Sequence, residues 1–261
     1  MRKTTGFCST LVVFLLTAAV AFTQDWRSGI PWEKPPVITP GAKPGDPPSD
    51  AIILFDGKDM SQWDKEWSIE NGALLCVPGK GDITSKRKFG SVQLHIEFAT
   101  PSEVDPKATG QGRGNSGVFF GPYELQVLDS YENETYYDGQ CGSIYKQVAP
   151  LVNICRKPGE WQTYDVIFNR PELKIVNNEV AEVIRPGYIT AFQNGALVVN
   201  HHEILGTTFF HQAPKYEYHE PLLPIRLQDH GNKIRFRNIW VREIPDTSVR
   251  PKPTREPYFQ Q

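Results

Sequence analysis

Residues 112–131, GRGNSGVFFGPYELQVLDSY, constrain the fold of this chain more than any other stretch. They read as two strands joined by a turn at Gly121 and Pro122. In the second strand Leu125 and Val127 point one way and Glu124 and Gln126 the other, because strand side chains alternate with period two. Asp129 breaks the period. A bulge near Leu128 is expected to return its carboxylate to the polar face, beside Glu124 and Gln126. The stretch PIRLQDHG, nearer the C-terminus, has the same pattern, with Ile225 and Leu227 alternating with Arg226, Gln228 and His230. Both predict a sheet with one face in the core and one lining a cleft, although a half-solvated sheet gives the same alternation.

The rest of the chain reads as more short strands. AIILFDG opens the folded part at Ala51, and WSIENGALLCV is a hairpin turned by Asn71-Gly72. ITSKRKFGSVQLHIEFATP is a further pair of strands, followed by a polar loop over 102–113. ENETYYDGQCGSIYKQVAP is a long loop without either period. Three runs follow, EWQTYDVIFNR, ELKIVNNEVAEVI (turned by Asn177-Asn178) and ALVVNHHEIL, and KIRFRNIWVREI is the last strand. His201 and His202 adjoin Asn200 in a turn-like position. Trp63, Trp67, Trp161 and Trp240 fall in strand-like runs and read as core, with a sugar-stacking platform as the other use of any one of them. No stretch carries the helical period that a crossover helix requires, which disfavours parallel α/β folds, and no fixed repeat suggests a propeller. The expectation is an all-β sandwich.

A basic Arg2-Lys3 precedes an apolar run that contains Ala19-Val20-Ala21, the layout of a signal peptide cleaved after Ala21 or Thr23. The run is short for a membrane span. Residues 1–23 are therefore expected to be removed and the mature protein exported, to the periplasm or outside the cell. Losing Arg2 and Lys3 takes the formal charge from −2 to −4. With no basic stripe, a nucleic-acid surface is excluded. Residues 24–50 form a proline-rich leader that drapes over or tethers the domain at 51–244, and 245–261 form a polar tail. Three cysteines remain. A Cys141–Cys155 disulfide would stabilise by about 3 kcal/mol, and the alternative is that Cys76, Cys141 and Cys155 are all free and buried. Asn133-Glu134-Thr135 fits a glycosylation sequon that matters only in a eukaryotic host.

GNSGV, YELQVLDSY, CGSIY, PGEWQTYDVIF and LQDHG-x-x-IRFRNIWVRE, in that order, resemble the 3-keto-disaccharide hydrolase domain family over residues 51–244. The resemblance implies a concanavalin-like jelly-roll β-sandwich of two curved antiparallel sheets, with the carbohydrate site on the concave face. It also implies a sugar already oxidised to a ketone at carbon 3, and so functional coupling to a sugar 3-oxidoreductase. Laminarinase-type glycosidases on the same sandwich carry Glu-x-Asp-x-x-Glu, whereas here the stretch runs Glu124-Leu125-Gln126-Val127-Leu128-Asp129. A retaining mechanism needs two carboxylates about 5–5.5 Å apart. An amide in the middle and a shorter last acid fit a different chemistry.

A ketone at carbon 3 acidifies the hydrogen on carbon 2. A base can remove it, the enediolate can expel the oxygen on carbon 1, and water can add to the unsaturated sugar. The site then needs a base and strong donors or one divalent metal ion at the ketone oxygen. Glu124 and His230 are the candidates for metal binding or proton transfer, with Asp129 a third carboxylate and Arg226 a partner for an oxygen. Asn115, Gln126 and Gln228 would orient hydroxyls, and Tyr145 or Lys146 would close over the ring. Each has a plainer reading: Glu124 paired with Arg226, His230 a turn residue, Asp129 a loop cap, Arg113 a solvated charge. The competing functions are a non-catalytic carbohydrate-binding module, a glycosidase acting on unoxidised glucans, and an adhesion role.

Overall fold

The computed structural model describes residues 34–245. The expected signal peptide, the start of the leader and nearly all of the C-terminal tail lie outside them. Helix among the described residues is limited to two single 3-10 turns, Gly110–Gly112 and Tyr137–Gly139. No described helix is long and apolar enough to cross a membrane.

Fourteen strands make up the rest of the regular structure. They are β1 Ile52–Phe55, β2 Ser68–Glu70, β3 Ala73–Leu75, β4 Ile83–Phe89, β5 Val92–Ala99, β6 Ser116–Phe120, β7 Tyr123–Val127 and β8 Gln162–Asn169. After these come β9 Glu172–Val176, β10 Glu179–Arg185, β11 Tyr188–Gln193, β12 Ala196–Glu203, β13 Leu223–Leu227 and β14 Arg235–Glu243. The larger sheet runs β12-β11-β8-β5-β14-β3-β2, with β1 also on β14. The smaller runs β4-β13-β6-β7, and β9-β10 stand apart as a hairpin. Every strand pair is antiparallel.

The two sheets face each other across one core. Val118, Phe120, Leu125, Val127, Ile225 and Leu227 of the smaller sheet join Leu94, Ile96, Phe98, Val166 and Phe168 of the larger in one buried cluster. Phe120 stacks on Phe168 with ring centroids 4.7 Å apart. All-β patterning with one apolar face per strand therefore resolves as a sandwich of antiparallel sheets. The hairpin turns at Asn71-Gly72 and Asn177-Asn178 have positive φ at both positions, which the primed turns demand.

Several expectations need correction. Ile83–Phe89 and Val92–Ala99 are both strands, but they belong to opposite sheets. Tyr188–Gln193 is a strand with no clear signal in the sequence, because its buried positions are Ile189, Ala191 and Gln193, a weak apolar pattern. His201 and His202 lie within β12, and the His201 ring stacks on Tyr188 at 4.5 Å. The Cys141–Cys155 disulfide is not formed and the described cysteines are free, although Cys155 is only partly buried. The sulfurs of Cys141 and Cys155 both accept from Gln193 Nε2, at 3.5 and 3.3 Å, so hydrogen bonds hold this loop. The Asn133 amide is buried and donates to Gly110 O and Asp129 O, leaving no free nitrogen for a glycan.

Where it is described, the proline-rich stretch lies along β14. Asn238 Nδ2 and Trp240 Nε1 both donate to Gly45 O at 2.9 Å, and Asp50 pairs with Arg242 at 2.7 Å.

Candidate functional site

The smaller sheet turns Val118, Phe120, Leu125 and Ile225 inward, so their neighbours line its other face. Register then assembles a wall. Arg226 on β13 lies opposite Phe119 on β6, and Phe119 lies opposite Glu124 on β7. In the next row Gln228 donates its backbone N–H to Gly117 O, and Gly117 lies opposite Gln126. A cavity of about 660 Å³ opens over these two rows. That is within the usual range for a small-ligand site, about 300–1,000 Å³.

Loops complete the cavity. Asn115 and Gln111 border it on one side, with Asn115 Nδ2 donating to Gln111 O at 2.8 Å. The segment after Gln140 runs along the free edge of β7: Gln126 N donates to Ser143 O and Tyr145 N donates to Glu124 O. This brings Tyr145 over the wall, with Tyr136 beside it. Thr208 and Phe210 close the far side, and exposed His230 stands at the rim.

Glu124 is 4 % exposed, and among the described residues no cation lies within ion-pair distance of it. Burial pushes its carboxyl up to about 8, against the pull of Arg226 and with a further push from Asp82. Arg226 instead donates to Asp82, and its guanidinium carbon sits 3.6 Å from the centroid of the Phe119 ring. The expected Glu124–Arg226 pair is thus absent because β6 and Phe119 stand between them. Gly117 explains how the acid fits: a Cβ there would lie 2.6 Å from Glu124 Oε1. One end of the Gln126 amide lies 3.0 Å from the same oxygen. A protonated Glu124 can donate to Gln126 Oε1. After ionisation, the amide turned end for end can donate back.

The structure gathers Glu124, Arg226, His230, Asn115, Gln126, Gln228 and Tyr145 around one cavity, but not Asp129 or Lys146. β7 ends at Val127 without a bulge, so Asp129 is not returned to the polar face. It borders a separate cavity of about 230 Å³, where Arg113 Nε donates to its Oδ2 at 2.6 Å. Its Oδ1 accepts from Tyr131 N, the loop-cap arrangement. Arg113 is correspondingly a half-buried partner and not a solvated charge, its side chain 16 % exposed. Lys146 does not line the cavity, and its ammonium lies 3.6 Å from the centroid of the Tyr136 ring. Trp63, Trp67, Trp161 and Trp240 do not line the cavity; its aromatic surfaces among the described residues are Phe119, Tyr136, Tyr145 and Phe210. Phe119 was open to discovery from its alternation with Val118 and Phe120. Tyr136, Thr208 and Phe210 lie on loops without periodicity and left no such signal.

For a divalent cation, the wall offers the Glu124 carboxylate, a His230 ring nitrogen and Gln228 Oε1, which is buried without a hydrogen-bond partner. No three His, Cys, Asp or Glu side chains converge among the described residues. These donors fit a hard cation that takes the rest of its shell from substrate and water.

A family model described as the 3-keto-alpha-glucoside-1,2-lyase-like domain matches residues 50–242. A curated Bacteroides thetaiotaomicron relative, a 3-keto-disaccharide hydrolase, is 24% identical over 249 residues, covering 74% of this chain and 78% of its own. A crystal structure of a candidate glycosyl hydrolase from Parabacteroides distasonis at 2.13 Å is 45% identical, with a TM-score of 0.75 over 82% of this chain and 93% of that one. Another from the same organism, at 2.00 Å, is 23% identical, with a TM-score of 0.52 over 74% and 99%, and shares the fold.

Proposed function

Because this chain belongs to the 3-keto-alpha-glucoside-1,2-lyase-like domain family, we propose that it is an exported enzyme cleaving glycosidic bonds of 3-keto-glycosides. The observation that carries this reading is Glu124, a buried carboxyl without an ion-pair partner whose pKa of about 8 lies near working pH. A general base is most effective with such a value.

In this reaction Glu124 takes the proton from carbon 2 while Gln126 follows the change of charge. Arg226 and His230 supply positive charge and donors where the ketone oxygen becomes an enediolate. The C1–O bond then breaks, its electrons leaving with the glycosidic oxygen. Water adds across the double bond, its oxygen to carbon 1 and a proton to carbon 2, giving net hydrolysis. Asn115 and Gln228 hold sugar hydroxyls, and Phe119 and Phe210 give the ring faces apolar surfaces. A His230 ring nitrogen and Gln228 Oε1 would hold a divalent cation, which when bound would polarise the ketone as a Lewis acid and leave Glu124 free as the base. The ketone comes from a sugar 3-oxidoreductase in the same compartment.

A double-displacement glycosidase needs a second carboxylate, and among the described residues Glu124 is the sole carboxylate lining the cavity. The test is turnover of a 3-keto-glucoside beside its unoxidised parent, with and without chelator, for wild type and Glu124→Gln. Cleavage of the keto sugar alone, lost in the variant, is expected. Equal cleavage of the parent would overturn the keto route, and binding without turnover would leave a lectin-like module.

A further inference from the structure

The elimination leaves one proton unassigned. The glycosidic oxygen departs with an electron pair, and from a sugar or alkyl alcohol it is too basic to leave unprotonated. Glu124 holds the proton taken from carbon 2 until hydration, when it returns it there, so the leaving oxygen needs a proton from another group. Arg226 is committed to Asp82.

Tyr136 and Tyr145 form a couple on the same cavity wall. Their hydroxyl oxygens are 2.5 Å apart, with the rings 6.2 Å apart at 60°. Tyr145 is held in register with the base, since its N–H donates to Glu124 O at 3.1 Å. Tyr136 packs on the backbone of Gly139, where a Cβ would lie 2.0 Å from its ring. The Lys146 ammonium sits 3.6 Å from the centroid of that ring and 3.7 Å from Asp138 Oδ1, its ion-pair partner. Phe210 lies 5.7 Å from the same ammonium. A cation over one ring of a hydrogen-bonded phenol pair favours negative charge on that ring. Burial raises both phenols, while the bond to Tyr145 pulls Tyr136 back down, so the easier proton to lose is that of Tyr136.

We propose that Tyr136 is the general acid of this site, with Tyr145 and Lys146 holding the phenolate it becomes. The proposal rests on the reading of Glu124 as base at a 3-keto sugar. The C1–O electron pair goes to the glycosidic oxygen, which takes the Tyr136 proton. On hydration the phenolate accepts a proton from the incoming water as its oxygen bonds to carbon 1, and Glu124 returns its proton to carbon 2. No oxidation state changes over the cycle. The substrate class follows: glycosides whose leaving group is a basic alcohol, a second sugar or an alkyl chain, for which an acid is indispensable.

The experiment compares methyl and 4-nitrophenyl 3-keto-glucosides, in both anomers, with Tyr136→Phe, Tyr145→Phe and Lys146→Met. Exchange of the carbon-2 hydrogen in D₂O is followed by NMR in parallel. Tyr136→Phe is expected to lose about 100-fold or more on the methyl glycoside, to stay within about 5-fold on the nitrophenyl one, and to keep exchanging carbon 2. Tyr145→Phe and Lys146→Met should show the same selectivity, more weakly. If Tyr136→Phe does not fold, the other two variants carry the test. Equal losses on both glycosides, or no loss on the methyl one, overturn the proposal. If wild type neither exchanges carbon 2 nor cleaves either keto sugar, the reading of Glu124 as base has failed and the proposal falls with it.

Discussion

Arg226 gives its guanidinium to Asp82 and not to Glu124. An ion pair to Glu124 would hold the carboxyl low and make it a poor base near neutral pH. As built, Arg226 acts on Glu124 only through space, and burial prevails. The kcat/KM for a 3-keto-glucoside should therefore rise with pH along a limb near 8. Arg226→Met removes the one cation among the described residues that pulls that value down, so the limb should move to higher pH and activity at pH 7 fall about 10-fold or more. A limb that stays in place would show that another group controls it.

Gly117→Ala tests the packing of the base. The new methyl meets Glu124 Oε1 and the edge of the Phe119 ring, both at 2.6 Å. Both groups are buried, so the overpacking should cost about 1–3 kcal/mol of stability. The carboxyl, however, must leave its position, and a misplacement of about 1 Å is worth roughly 100-fold in rate. Thermal melts and turnover measured together separate the two effects.

Glu124 also links stability to pH. Its folded pKa, about 8, lies above the ordinary glutamate value of about 4.5, so the folded state binds the extra proton in between. Its contribution is complete below about 4.5 and is lost as pH rises through 8, by up to about 5 kcal/mol. Glu124→Gln, which has no charge to bury, should gain in melting temperature over wild type as pH is raised from 5 to 9. A constant difference would mean that the carboxyl is not protonated in the fold.

Asp129→Asn should separate fold from chemistry. It removes the charge that answers Arg113, whose side chain is mostly covered. Arg113 is half-buried and keeps its bond to Tyr131 O, so the cost should be about 1–3 kcal/mol and appear in urea melts. Turnover of the keto sugar by the folded variant should stay within a few-fold of wild type, because Asp129 borders a different cavity. A loss matching that of Glu124→Gln would return Asp129 to the catalytic set.

His95 makes the opposite face of the larger sheet pH-sensitive. Burial pulls its pKa down, but the bond to Asp165 at 2.7 Å and the nearby Glu97 push it up to about 9. Its stabilisation should be complete below about 6.5 and lost as pH rises through 9. His95→Gln should therefore lower the melting temperature at pH 6 by more than at pH 10. Asp165 is half exposed, so screening keeps the difference to about 1–2 kcal/mol.

Alternation by itself determined the fold class and which side chains share a face. Val118, Leu125 and Ile225 are buried, with Glu124, Gln126, Arg226 and Gln228 opposite, because a strand admits just two directions. Adjacent signals such as Asn71-Gly72 set their turns locally, since few residues adopt positive φ. What the pattern could not settle was which strand pairs with which. Arg226 and Glu124 are far apart in the chain, and only the insertion of β6 between their strands denies them an ion pair and leaves Glu124 a weak acid. The fate of Asp129 was tertiary for the same reason: past the end of β7, Arg113 captures it before any alternation can apply. Tyr136 and Phe210 reached the cavity on aperiodic loops, where pairing with the edge of β7 and packing against neighbours, not local preference, decide the position of a side chain.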